Sequence, residues 1–238
     1  MSRDGKSFLV IGGSSGIGRQ IVRLLADEGS SVVTASRYPS DAENAGLAKG
    51  IRWDVTSGEL PSEALPEALD GLVYCPGTIN LKPFQRLTDK DFQLDFEVNL
   101  LGAVRAIRAS LPALKRAEPP AAVVLFSTVA VVSGMPFHAS IGSAKGAVEG
   151  LCRALAAELA PRVRVNAIAP SLTDTPLAER LLSSPQRRES SAKRHPLGRV
   201  GTAEEVAWLA TRLLGDEMSW ATGQVFHLDG GLSALRTP

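Results

Sequence analysis

Ser7-Phe8-Leu9-Val10-Ile11-Gly12-Gly13-Ser14-Ser15-Gly16-Ile17-Gly18 is the stretch that decides how this chain folds. The apolar run from Ser7 to Ile11 reads as a buried strand. It passes at once into a glycine-rich turn, after which Ile17 to Glu28 repeats apolar residues at helical spacing. Glycines at 12, 16 and 18 permit a tight turn and let the backbone approach a diphosphate. The following helix start offers unpaired N–H groups and the positive end of its dipole, with Ser14, Ser15 and Ile17 in the loop. The glycine spacing alone is weak, but between a strand and a helix it predicts a dinucleotide site.

Outward from that loop, β-branched runs alternate with Ala/Leu-rich amphipathic segments. Further strands are expected at Ser31 to Ala35, Ile51 to Val55, Leu72 to Tyr74, Ala121 to Phe126, Arg164 to Ile168 and Gln224 to Leu228. Continuous Val/Ile/Leu runs suit parallel strands covered on both faces, and helices between them suit right-handed crossovers. The expected fold is α/β: a Rossmann-type, doubly wound parallel sheet of seven strands with helices on both faces, in one domain over residues 1–238. Tyr38 to Leu69 is polar and proline-rich and reads as shortened connections within that domain. Leu177 to Lys193 is polar, with Ser183-Ser184-Pro185 in its middle; it is either a lid over a pocket or a solvated surface helix.

Composition narrows the function. Twenty-six Lys and Arg against 25 Asp and Glu leave a net charge of +1, which provides no footprint for nucleic acid or an anionic membrane. Two cysteines, Cys75 and Cys152, are too few for a disulfide framework or a zinc cage and read as buried apolar residues, so no metal is expected. No apolar stretch reaches the roughly 18 residues of a membrane helix, and no leader pattern precedes the first strand. The expected compartment is the cytoplasm, and the expected partner is a small-molecule substrate.

Ser36 and Arg37 close the second strand, which in a dinucleotide fold faces the adenosine ribose. An acidic residue there would bind a free 2′-hydroxyl, whereas an arginine accommodates a 2′-phosphate. None of Thr34 to Arg37 is acidic, so the cofactor is expected to be NADP(H).

Taken together, these motifs resemble the short-chain dehydrogenase/reductase family over nearly the whole chain. Asp54-Val55 resembles the pair that contacts the adenine. Tyr74-Cys75-Pro76-Gly77 falls where the family carries Asn-Asn-Ala-Gly. Asn99, in Val98-Asn99-Leu100, matches the helix asparagine of the catalytic tetrad, and Lys145 matches its lysine. Arg164 to Pro170 resembles the strand before the nicotinamide-binding turn, where Thr173 and Thr175 follow. The resemblance implies that Thr175 binds the carboxamide and that Lys145 binds the nicotinamide ribose. Thr222-Gly223-Gln224 and Asp229-Gly230-Gly231 resemble the C-terminal signature. A homo-oligomer, tetramer or dimer, is also implied, through the helix around Ala139 to Leu159; a buried face within one subunit would explain its Ala144, Ala147, Leu151, Leu155 and Ala156 equally well.

Four positions depart from the family pattern. Ile11 replaces a threonine, Ser171 replaces a glycine, and Thr128 replaces the catalytic serine while keeping its hydroxyl. Ile141, four residues before Lys145, stands where the family has its catalytic tyrosine. In the family, the tyrosine protonates the developing alkoxide as hydride moves, help worth roughly 10²–10⁴ in rate, and isoleucine supplies none of it. His138, three residues earlier, is the candidate substitute, because an imidazole titrates near neutrality. Tyr74 is a weaker candidate, and His195 and His227 read as structural. Three functions follow: an NADP(H)-dependent oxidoreductase on a small carbonyl, alcohol or enone, with His138, Lys145, water or the substrate as proton source; a noncatalytic cofactor-binding sensor or partner subunit; or a lyase or isomerase that keeps the nucleotide as a fixture.

Overall fold

The computed structural model describes residues 3–38, 41–118 and 120–236. Seven strands form one parallel sheet: β1 (Ser7–Ile11), β2 (Ser31–Ser36), β3 (Lys49–Arg52), β4 (Gly71–Tyr74), β5 (Ala121–Phe126), β6 (Val163–Pro170) and, after two short strands, β9 (Val225–Leu228). Their spatial order is β3-β2-β1-β4-β5-β6-β9. The short strands β7 (Thr173–Asp174) and β8 (Gly201–Thr202) pair only with each other.

Period-two side-chain alternation sends successive residues of each strand to opposite faces. Leu9 and Ile11 of β1 enter one core, and Phe8 and Val10 enter the other. The first core is covered by α4 (Gly102–Arg116) and α6 (Ala139–Leu159), through residues such as Ala106, Leu114, Val148 and Cys152. The second is covered by α1 (Gly16–Asp27) and α8 (Ala203–Leu214), through Ile21, Leu25, Ala207 and Leu213. Both faces are therefore dry, which explains why the strands read as unbroken apolar runs. Ala144 and Ala156 of α6 are buried within the subunit, so the sheet already accounts for part of that helix's small-residue face.

The third strand departs from the expected Ile51–Val55. Its ladder with β2 runs from Val33↔Lys49 to Ser36↔Arg52, and Trp53 N–H makes a final bond to the Ser36 carbonyl. Beyond that point no partner strand remains, and Asp54 instead accepts from the Thr56 N–H and hydroxyl to form a turn. Asp54 and Val55 thus follow the strand. Among the described residues, the Tyr38–Leu69 stretch holds α2 (Asp41–Asn44), β3 and one short 3₁₀ turn over Ser62–Ala64. The Leu177–Lys193 stretch holds a 3₁₀ segment over Pro176–Leu181 and α7 (Pro185–Ala192), whose first six residues are exposed, as expected of a surface helix.

The remaining helices are α3 (Asp89–Phe96) and α5 (Ala130–Ser133). One π-helical turn over Glu97–Leu101 joins α3 to α4. Such bulges insert an extra residue per turn and re-aim side chains.

Candidate active site

From β1 the chain crosses to β2 on one side and, later, to β4 on the other. Crevices at such switch points lie beyond the strands' C-terminal ends. Here a groove of about 560 Å³ opens, with Gly12, Ser14, Ser15, Gly16, Ile17 and Gly18 along one wall. Ser36, Arg37, Asp54 and Val55 line it, as do Cys75, Pro76 and Gly77 from the end of β4 and Thr175. Gly18 is there for close approach: a Cβ on it would lie 2.2 Å from the Gly12 carbonyl oxygen. Ser15 precedes α1 in an extended conformation, and its hydroxyl does not cap the helix start.

At the groove's other end, Ser36 is buried and donates to the Tyr38 carbonyl at 2.6 Å. That bond holds the turn from which Arg37 projects, exposed, with its guanidinium 5.9 Å from the Tyr38 ring. The Thr56 backbone and hydroxyl donors hold the Asp54 carboxyl below the usual carboxylate range.

A second cavity, of about 260 Å³, adjoins the groove; Cys75, Gly77, Thr78 and Thr175 line both. Its walls are mainly apolar, with Leu81, Met135, Ile141, Leu172 and Leu181 among them. Thr128, His138, Lys145, Pro170 and Thr173 also line it. Lys145 is buried, and its Nζ donates to the Phe126 carbonyl at 2.8 Å. Burial lowers its pKa to about 8. Ile141 lies one helical turn earlier on α6, only 5% exposed.

Thr128 Oγ1 accepts from the Ala130 N–H at 3.3 Å, while its neighbour Ser127 donates to the buried Glu149 carboxylate at 2.7 Å. His138 stands at the start of α6 with Nδ1 2.7 Å from the Pro136 carbonyl oxygen. A carbonyl can only accept, so Nδ1 carries the proton and Nε2 is the nitrogen left for the cavity.

Asn99 lines neither space. The π-helical turn carries it behind Gly77, where it is buried. Its Nδ2 donates to Thr78 Oγ1 at 2.8 Å and to the Asp95 carbonyl at 2.7 Å, and its Oδ1 has no partner among the described residues. A Cβ on Gly77 would stand 3.3 Å from Asn99 Oδ1 and 3.6 Å from Lys145 Nζ. The missing side chain at Gly77 therefore leaves a polar niche between an orphan acceptor and an ammonium. Niches of this kind take a water or a ligand hydroxyl. The niche, the uncapped helix start and the glycine wall together fit a nicotinamide dinucleotide.

Sequence reading missed Thr78, Asp95 and Ser140. Asp95 is fully buried and accepts from Thr78 Oγ1 at 2.5 Å and from the Ser140 hydroxyl. The sequence around Asp95 carries no signal of this: α3 is mostly polar, with Asp89, Lys90, Asp91 and Gln93, and Asp95 is its buried residue.

The other candidates are structural. Tyr74 is buried, donates to the Val98 carbonyl at 2.5 Å and has its phenol pKa raised by desolvation. His195 is buried, bonded through Nδ1 to the Ser191 carbonyl and through Nε2 to Ser171. His227 is exposed on β9. Burial pushes the Cys75 thiol up to about 12 and the Cys152 thiol up to about 11, so neither is a ready nucleophile. Among the described residues, no cluster could hold a metal ion, and no helix is long and apolar enough to cross a membrane.

Comparison with known proteins agrees with this geometry. Residues 12–233 match a family model described as enoyl-(acyl carrier protein) reductase. The chain is 32% identical over 237 residues to L-xylulose reductase of Bos taurus, covering 97% of each chain. It is 33% identical over 248 residues to the 3-oxoacyl-[acyl-carrier-protein] reductase FabG of Thermotoga maritima, covering 98% of this chain and 99% of that one. Among solved structures it is similar to Pseudomonas aeruginosa RhlG in an active-site complex with NADP, with a TM-score of 0.89, 31% identity and 98% of each chain covered.

Proposed function

This chain belongs to the short-chain dehydrogenase/reductase family, and on that premise we propose an NADP(H)-dependent oxidoreductase of small apolar carbonyls, alcohols or enones that works without the family's tyrosine. The observation that carries the reading is the continuity of the two spaces. A dinucleotide groove and an apolar cavity share Cys75, Gly77, Thr78 and Thr175, with Lys145 beside the junction. The cofactor, when bound, supplies or accepts the hydride.

Each residue of the chain then has a part. The loop from Gly12 to Gly18 and the start of α1 hold the diphosphate. Arg37 and Ser36 take the 2′-phosphate, and the NADP bound by RhlG supports that choice. Asp54 and Val55 flank the adenine. Lys145 and the Asn99 Oδ1 niche hold ribose hydroxyls or water, while Pro170, Thr173 and Thr175 orient the nicotinamide. The Thr128 hydroxyl orients the substrate oxygen.

Ile141 takes the tyrosine's position, so the proton must come from another group, from water or from the substrate; His138 and Lys145 are ionisable side chains that line the cavity. We also read the protein as a cytoplasmic homo-oligomer, dimer or tetramer. Its free thiols support the compartment, and exposed Trp208 and Leu228, which share one shallow surface groove, support the assembly.

Isothermal titration with NADPH and NADH tests the reading, followed by a turnover screen of apolar ketones and enones. Micromolar NADPH binding, much weaker NADH binding and one robust turnover support it. Tight NADPH binding with no turnover favours a noncatalytic sensor or partner subunit, the reading that buried Ile141 would then carry. Binding of neither nucleotide sinks both.

A further inference from the structure

One buried carboxylate at the junction of groove and cavity has no role above. Asp95, on α3, is 0% exposed, and its side-chain hydrogen-bond partners among the described residues are neutral: Thr78 Oγ1 at 2.5 Å, the Ser140 hydroxyl, and Asn80 Nδ2 at 3.5 Å. Thr78 is the member of this cluster that lines both the cavity and the groove.

Counting protons shows what this arrangement can do. A hydroxyl has one proton and two lone pairs. Asn99 Nδ2, which can only donate, fills one lone pair of Thr78 Oγ1 at 2.8 Å. With Asp95 ionised, the Thr78 proton goes to its Oδ1, and the cavity meets only a lone pair. With Asp95 protonated on Oδ1, the acid fills the second lone pair, and the Thr78 proton turns outward. The protonation state of Asp95 therefore sets the polarity of the hydroxyl that the substrate meets.

We propose that the Thr78 hydroxyl, backed by the Asp95 carboxyl, is the proton donor and acceptor of this cavity. The inference rests on the oxidoreductase reading and deepens it. As hydride adds to the carbonyl carbon, the C=O π pair becomes an alkoxide lone pair. That oxygen takes the Thr78 proton, Thr78 Oγ1 takes the Oδ1 proton of Asp95, and Asp95 is left as a carboxylate. Water entering after product leaves returns a proton through the same hydroxyl. Alcohol oxidation runs the chain in reverse. Thr78 is the catalytic residue, and Asp95 is the positioning residue that orients and replenishes its proton.

His138 is placed less well. It is half-buried at the cavity edge beside exposed Phe137, and its Nδ1 is held by Pro136. The charged groups around Asp95 are Lys145 from α6 and Asp91, one turn earlier on α3, which Lys82 pairs at 2.5 Å and Asn80 links to Asp95.

Two measurements on the full chain test the relay. The first is an infrared pH-difference spectrum without cofactor. A protonated-carboxyl C=O stretch that vanishes on raising the pH, is lost in Asp95→Asn and moves in Thr78→Val is the expected result. The second is NADPH-dependent reduction of benzil, an apolar diketone. Thr78→Val should lower kcat about 100-fold or more with little change in KM, the scale of a lost proton donor. Thr78→Ser should restore most of that loss, and Asp95→Asn should flatten the pH profile of kcat.

Wild-type kcat in Thr78→Val overturns the proposal, as does a spectrum without an Asp95-dependent band. If NADPH binds but benzil is not reduced, it is the oxidoreductase reading that is in question. The infrared spectra then decide the coupling alone, and an Asp95 band unmoved by Thr78→Val overturns it.

Discussion

Lys145 Nζ donates to the Phe126 carbonyl oxygen at 2.8 Å, so the buried ammonium is tied to the C-terminal end of β5 and not to a carboxylate. A neutral acceptor offsets only part of the desolvation cost of a charge. This explains why the lysine's pKa falls from 10.5 to about 8. The same bond aims Nζ at the niche beside Gly77.

A pH dependence follows from that shift. Below about pH 8 both folded and unfolded chains carry the proton, and the folded state bears the full cost of the buried charge. Between about 8 and 10.5 the folded chain has lost the proton while the unfolded chain keeps it, so the Lys145 contribution makes stability rise with pH. Lys145→Met should be more stable than wild type below pH 8 and lack this rise, as denaturant melts at several pH values would show. NADPH affinity should fall as pH climbs through about 8 in the wild type and stay flat in Lys145→Met.

Arg37→Ala should weaken NADPH about 10- to 100-fold and leave NADH nearly unchanged, since a charge-assisted contact to the 2′-phosphate is worth about 1.5–3 kcal/mol. The two titrations, compared between wild type and variant, check this. Equal losses for both nucleotides would assign Arg37 to the diphosphate or to no site at all.

Ile141→Tyr would put a phenol one turn from Lys145 in the cavity wall. If this is the tyrosine's place, kcat for benzil should rise about tenfold or more, towards the scale of general acid assistance. The larger ring also fills apolar space, so KM should rise with it. A variant that folds and binds NADPH but reduces benzil no faster would show that the backbone here does not present a phenol usefully.

Two glycine substitutions should separate folding from binding. In Gly18→Ala the new methyl meets the Gly12 carbonyl oxygen at 2.2 Å, so the turn itself must move, with a loss of stability on the order of 2 kcal/mol and of dinucleotide binding. In Gly77→Ala the methyl stands 3.3 Å from Asn99 Oδ1 and 3.6 Å from Lys145 Nζ. It enters the niche and leaves the backbone alone, so the melting temperature should hold while NADPH affinity drops. Thermal melts beside calorimetry distinguish the two.

The sheet was largely readable in advance because each strand carries its own signal: apolar runs between glycine turns require burial on both faces wherever they pair. The third strand was misjudged because its end depends on where β2 stops, a property of the neighbour and not of Ile51 to Val55. The glycine-loop wall of the groove was readable because a strand, a turn and a helix start lie contiguous in the chain. Thr78, Asp95 and Ser140 were not readable. They lie far apart in sequence, and each alone looks like an ordinary polar residue.

The chain's sequence determined the parallel sheet, the glycine loop and the absence of a phenol at position 141, because these are set by local patterns and residue identity. Only the tertiary structure decided that Asn99 turns inward through a π-helical bulge with its Oδ1 unpartnered, and that Asp95 is closed off behind Thr78. Burial and hydrogen-bond direction depend on which distant segments converge. It is that convergence that turns an aspartate of no evident purpose into a carboxyl able to govern a hydroxyl at the cavity wall.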